Sequence, residues 1–199
     1  MLLPDQTYQL LRNLTSPVVA ITSERDGKEN GMISDAAIRA SIVPTAPRLS
    51  VYVHKFNFSH DLIFETGRFV LHLLHTKQFD VIHGLGFVSG RDRDKLADVP
   101  HHIGVLGAPV LDDCYAHFEC RVANVMDTGS STLFLGDVVE VGFGAASAPR
   151  GDLMTAAFFR AHMPEQWRKE YEAGLEAAQR FAAERSRTIR AVVWRGLTP

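Results

Sequence analysis

Two runs of alternating residues constrain this chain more than anything else in it. From Tyr115 to Met126, Ala116, Phe118, Cys120 and Val122 face one way while Tyr115, His117, Glu119 and Arg121 face the other. Thr132 to Val141 then returns as TLFLGDVVEV. A period of two is that of a strand with one buried face. The connection, Asp127-Thr128-Gly129-Ser130-Ser131, is turn chemistry, so the two runs predict an antiparallel hairpin. A lone hairpin is marginal in water, so the rest of the chain must supply further strands and a face to cover them.

Those strands are legible. PVVAIT (17–22) is β-branched and apolar, RLSVYVH (48–54) alternates, and FVLHLL (69–74) is again apolar. Asp26-Gly27 marks a turn and Asn30-Gly31 a second backbone irregularity. Helices are expected at the N-terminus with Pro4 in its first turn, from an Asn57 cap to Gly67, and from Thr76 to about Leu85. A long surface loop is expected over 89–107. Trp167, Tyr171, Leu175, Ala178 and Ala182 repeat at helical spacing after Pro164, and TIRAVVW (188–194) reads as a closing strand. Strands outnumber helices and are mostly joined by turns. The expected class is α+β, mainly β: an antiparallel barrel or sandwich with peripheral helices and a C-terminal helix.

Composition narrows the function classes. The 199 residues carry 21 Lys and Arg against 23 Asp and Glu, a net charge of −2, which argues against a general nucleic-acid binder. No apolar stretch approaches a membrane span and the N-terminus lacks a secretory pattern, so the expectation is a cytoplasmic chain. Cys114 and Cys120 suit buried free thiols. Neither common nucleotide fingerprint, no serine-nucleophile elbow and no zinc-ligand spacing occurs, so no metal site is expected.

Two segments look specialised. Asn30 to Ser41 (NGMISDAAIRAS) combines a glycine with small and hydroxyl side chains. It suits close approach of the backbone to a planar ligand, or a tightly packed strand with a bulge after Gly31. His54 to Asp61 (HKFNFSHD) joins a strand end to a helix start. There Lys55, Asn57, Ser59 and His60 suit an anion site, or plain helix capping.

The order of these pieces resembles the flavin reductase family, whose members bind FMN in a split barrel. The landmarks are Ser16-Pro17-Val18-Val19, Asn30-Gly31-Met32, Ser41 with Pro44 and Pro47, and Lys55-x-Asn57-x-Ser59-His60-Asp61-Leu62. They continue through Gly67-x-Phe69, Phe87-x-Ser89-Gly90 with Asp94-Lys95, Gly107-x-Pro109-Val110-Leu111, Phe118-Glu119-Cys120-Arg121-Val122 and Leu135-Gly136-Asp137-Val138. The resemblance implies one FMN-binding domain over 1–199, with a core over about 15–142 and a helix-strand extension over 150–199. It implies that Met32, Ile33, Ser34, Asp35 and Ala36, with Ser41 nearby, hold the flavin ring. Lys55, Asn57, Ser59 and His60 would hold its phosphate, and the chain would be a homodimer. The implied activity is FMN-dependent oxidoreduction, most simply NAD(P)H:flavin reduction, with no side chain required as acid or base. The alternatives are a flavin-binding electron carrier and an FMN oxidoreductase acting on another small organic molecule. The family's Gly-Asp-His hairpin, associated with nicotinamide, reads here Met126-Asp127-Thr128-Gly129-Ser130-Ser131 without the His. The donor therefore stays open. For the C-terminal helix the expected role is packing.

Overall fold

The hairpin forms and becomes the spine of a curled sheet. In the computed structural model, which describes residues 7, 10–11, 13–14, 17–144, 152–186 and 188–194, the strands are β1 (Val19–Arg25), β2 (Lys28–Ser34), β3 (Ala37–Arg39), β4 (Arg48–His54) and β5 (Arg68–Leu73). They continue as β6 (His101–Ile103), β7 (Pro109–Leu111), β8 (Ala116–Asp127) and β9 (Ser131–Gly142). Among the described residues the bounded helices are α1 (Phe58–Thr66), α2 (Phe79–Gly86), α3 (Ala156–His162) and α4 (Glu165–Arg185). Seven strands pair in the order β2-β1-β5-β8-β9-β4-β3, all antiparallel, and β6 and β7 make a separate pair. The fold is a split β-barrel with its helices outside.

Two apolar layers hold it. Ile21, Val51, Val53, Phe69 and Phe134 are fully buried between the curled strands. On the outer face of β1 and β5, Ala20 and Leu74 pack against Ile82 and Leu85 of α2, Leu96, Met154 and Phe159. Gly31 permits the second layer: a Cβ there would lie 3.0 Å from Leu85 Cδ2. His72 is buried in the same wall, and burial pulls its pKa down to about 3, so it is neutral. Its Nε2 accepts from Leu111 N (3.0 Å), which leaves the proton on Nδ1, 3.3 Å from Ala20 O. Cys114 and Cys120 are free and buried, and burial pushes the Cys114 thiol up to about 12. Such thiols are poor nucleophiles.

Several expectations need correction. Asn30-Gly31 is not an irregularity, because β2 pairs with β1 in unbroken register from Val19↔Ser34 to Arg25↔Lys28. The register shifts lie instead in β8, at Glu119/Cys120 and Val122/Asn124. There Glu119 is buried because its carboxylate accepts from the amides of Val105 and Leu106. The 89–107 stretch is not all surface loop: it contains β6, and Lys95 and Leu96 are buried. Residues 188–194 form no strand. Trp194 draws that segment inward instead, where its Nε1–H donates to Val122 O (3.2 Å) and its ring fits beneath Gly67. The N-terminal helix around Pro4 lies mostly outside the described residues; Leu10, Leu11 and Leu14 are exposed. No helix among the described residues is long and apolar enough to cross a membrane.

If Trp194 is core, Trp194→Ala leaves a cavity and an unpaired Val122 carbonyl, lowering stability by about 3–5 kcal/mol in chemical denaturation. A loss under 1 kcal/mol would mean that the tail is only draped on the surface.

Candidate functional site

β2 forms the floor of a cavity of about 420 Å³, which lies within the usual size range of ligand sites. Its lining on this side is Asn30, Met32, Ile33, Ser34 and Asp35. One wall is the chain from His54 to Ser59, and the opposite wall is Ile82 of α2 with the segment Gly86–Gly90. Asn30 ties the first wall to the floor, because its Nδ2 donates to Ser59 Oγ (2.7 Å) and both residues are buried. Gly90 fits against Asn30, and a Cβ there would lie 2.0 Å from Asn30 Oδ1.

α1 begins in that wall. Asn57 holds the N-cap position with extended backbone (φ −69°, ψ 135°), but its side chain makes no cap hydrogen bond. Its Nδ2 instead lies 3.8 Å from Met32 Sδ, so Asn57 reaches across the cavity rim rather than back to the helix. The Asn57 side chain thus satisfies none of the first-turn amides of α1, although the Asn57 backbone carbonyl accepts from the His60 amide (3.0 Å). Those amides carry the positive end of the helix dipole. Gly67 ends α1 in the left-handed conformation (φ 68°), as its type allows.

Of the residues expected to bind a ligand, Met32, Ile33, Ser34, Asp35, Asn57 and Ser59 line this cavity. Four are placed elsewhere. Ala36 accepts from Tyr52 N (3.0 Å) where the chain crosses from β2 to β3. Ser41 lines a separate apolar groove of about 440 Å³ with Ile38, Ile42, Val43, Leu73 and Val141. His60 turns its Nε2 to Thr132 Oγ1 (2.8 Å), stacks on Phe64 and meets Phe134 edge-on. Burial lowers its pKa, so it is a weak cation at neutral pH. Lys55 donates to Asp127 Oδ1 (2.6 Å). Asp127 also accepts from the amides of Gly129 (2.7 Å) and Arg190 (3.1 Å). Burial opposes its ionisation, but these three bonds outweigh it and hold its pKa below the usual carboxylate value.

Other lining residues were not expected. Lys95, 7% exposed, donates to Leu85 O (2.7 Å) and Val88 O (3.1 Å) beyond the end of α2. Burial pulls its pKa down to about 8. Ala156, Phe159 and Arg160 of α3 close one end, and Glu170, Tyr171, Gly174, Leu175 and Ala178 of α4 form a roof. α4 is fixed at both ends. Trp167 stacks on His83 of α2 (4.2 Å), and Phe181 meets Phe56 (5.5 Å). The 171/175/178 spacing was the visible signal for this roof, though the same pattern serves ordinary packing. Nothing local marks Arg160, and Lys95 stands in the sequence only as part of the Asp94-Lys95 landmark.

Residues 11–164 match the flavin reductase like domain, and the chain belongs to that family. The high molecular weight rubredoxin of Moorella thermoacetica is 28% identical over 151 residues, 75% of this chain and 63% of that protein, so the chain spans less than two thirds of that relative. A flavin-dependent monooxygenase reductase subunit, HsaB, of Mycobacterium tuberculosis is 27% identical over 177 residues, 86% of this chain and 92% of that one. The crystal structure of an FMN-binding protein from Thermus thermophilus with bound p-hydroxybenzaldehyde superposes with a TM-score of 0.60. It shows 28% identity and covers 65% of this chain and 72% of that one.

The Lys95 site yields a signed expectation. The folded-state value of about 8 lies below the ordinary 10.5, so between those pH values the unfolded chain binds more protons. Stability attributable to this site therefore rises as pH rises through that window, by on the order of 3 kcal/mol. Chemical denaturation against pH should show the rise in the wild type and lose it in Lys95→Met. An unchanged pH profile in the variant would refute the assignment.

Proposed function

We propose, on the premise of that family membership, that this chain is an FMN-dependent oxidoreductase of the NAD(P)H:flavin reductase type. The observation that carries the proposal is the wall of the cavity where α1 begins. The β2 floor at Met32–Asp35 lies beside a helix N-terminus to which the cap side chain makes no hydrogen bond. That pairing of features fits a molecule with a planar ring and one phosphate. FMN, when bound, supplies the redox chemistry, taking a hydride from a donor and passing electrons to an acceptor.

The chain's own residues bind and orient. The amides at Phe58 and Ser59, with the Asn57 amide group, face the phosphate; Met32, Ile33, Ser34 and Asp35 lie along the ring. Lys55, expected from sequence to bind the phosphate directly, acts in this proposal through Asp127 by fixing the loop that carries Asn57. Ala36 and His60 adjoin the same segments from outside the cavity, while Ser41, bonded to Arg48 O in the separate groove, has no part in holding the ring. No side chain is assigned as acid or base.

The second copy belongs to the proposal as well. The groove beside Ser41 is apolar, and Ile38, Ile42, Val43 and Val141 on it are all at least half exposed. A contiguous apolar surface of this kind suits a second copy of this chain. Two buried free thiols fit a reducing compartment, in keeping with the cytoplasmic location expected from the sequence.

One observation favours a second reading, a flavin-binding electron carrier. The hairpin tip lacks the family's His, and its Asp127 is committed to Lys55, Gly129 and Arg190. Anaerobic addition of NADH or NADPH to the FMN-loaded protein separates the two. Rapid bleaching of the flavin absorption is the expected result, and a flavin left oxidised by both donors supports the carrier. Asn57→Ala should weaken FMN binding by about 1–2 kcal/mol in a fluorescence titration. In light scattering the wild type should be a dimer and Ile42→Lys a monomer. A monomeric wild type would contradict the proposed partner.

A further inference from the structure

The far end of the cavity has chemistry that the α1 end does not use. Pairing of Pro17 with Thr155 and the bond from Val18 N to Met154 O (2.7 Å) seat α3 beside the start of β1. Val19 pairs with Ser34, so α3 stands at the Ser34 end of the floor. The bond from Asn30 to Ser59 fixes α1 at the other end. Four residue steps of β2 run from Asn30 to Ser34, about 13 Å, and Asn57 of the α1 cap reaches the floor at Met32 (3.8 Å).

Arg160 lines the cavity at this far end. Among the described residues its guanidinium has no ion-pair or hydrogen-bond partner. The other cation on the lining, Lys95, is satisfied by two carbonyls. Of the nearby carboxylates, Glu170 is held by His83 Nε2 (3.2 Å), and Asp35 acts on His54 of the opposite wall. A cation in the last turn of a helix is favourable in itself. That accounts for the charge, but not for a forked, bidentate donor facing a cavity.

The roof beside it carries a second, independent oddity. Gly174 lies in the middle of the 21-residue α4, where glycine destabilises a helix relative to alanine. No close contact within the chain demands it, because a Cβ at Gly174 would meet nothing within 4 Å. The space over it opens into the cavity, next to Tyr171 and the rings of Phe87 and Phe159 at 5.9 and 6.2 Å from Tyr171.

We propose that the α3–α4 end of the cavity is a subsite for a second ligand, a flat organic anion whose ring lies against Tyr171 and Gly174 and whose carboxylate or phosphate pairs with Arg160. The subsite names the substrate class for the function proposed above and rests on that reading. The anion is either a carboxylate on a small aromatic acceptor or a phosphate of the dinucleotide donor.

The test titrates the full chain, FMN-loaded and FMN-free in parallel, with benzoate, its neutral isostere benzamide, NADP+ and NAD+. Flavin absorbance reports binding to the loaded protein and tryptophan fluorescence to the free protein. The expected result is that benzoate binds more tightly than benzamide, or NADP+ more tightly than NAD+. Arg160→Gln then weakens the more anionic member of that pair by about tenfold while changing its partner and FMN by less than about twofold. Whichever pair responds identifies the source of the anion. Gly174→Ala raises the melting temperature of the ligand-free protein yet weakens the same ligand. The proposal is overturned if neither pair discriminates in the wild type, if Arg160→Gln leaves the preference intact, or if that variant loses FMN as strongly as the second ligand. Failure of the wild type to retain FMN would sink the function proposed above, while the fluorescence titration of the free protein still decides the subsite.

Discussion

The carboxylate of Asp127 joins three stretches of chain that are far apart in sequence. It accepts from Lys55 after β4, from Gly129 at the β8–β9 tip and from Arg190 in the tail. Gly129 takes a left-handed turn (φ 86°) directly under Ser186, where a Cβ would lie 2.7 Å from a carbonyl oxygen. The hairpin tip, the loop leading to α1 and the C-terminal segment are therefore held as one unit. That unit borders the cavity, and α4 crosses it from α2 to Phe56. A buried carboxylate with three donors is costly to disturb, since loss of one partner leaves charge without compensation. The position of the α1 N-terminus, and with it the candidate phosphate end, follows from this contact.

The cavity is correspondingly uneven in its electrostatics. At the α1 end Lys55 and His60 are directed elsewhere, and the helix amides are joined by Arg91, which donates to Phe56 O (2.8 Å), and by Lys28 over the Phe58 ring (4.6 Å). In the middle, Lys95 is held by carbonyls at a depth where its ionisation is weakened. At the α3 end stands a guanidinium. A net charge of −2 gives no hint of this arrangement, because single oriented groups decide it and the total does not.

Much of this was legible in the sequence, and the exceptions share a cause. The hairpin, the core strands and the α1 boundaries at Asn57 and Gly67 follow from local periodicity and turn chemistry, and of the segments 30–41 and 54–61 singled out in the sequence, Asn30, Met32–Asp35, His54 and Phe56–Ser59 line the cavity. The errors arose where a distant partner decides. TIRAVVW has strand propensity, yet the sheet is already complete around it and the indole of Trp194 gains more in the core. Lys55 looks available until Asp127, 72 residues later, is brought beside it. α3 is only about two turns of AAFFRAH with no strong period, so neither it nor Arg160 was visible. The roof residues Tyr171, Leu175 and Ala178 were seen as a stripe, but which surface they cover is a matter of tertiary placement.

The central claim is that one cavity on each chain, floored by Met32–Asp35 and opened by the α1 N-terminus, holds FMN. Equilibrium dialysis of the purified full-length protein against FMN measures it most directly. The account predicts saturation at one FMN per chain, with affinity reduced in Asn57→Ala. Absence of saturable binding, or saturable binding indifferent to Asn57, would contradict it.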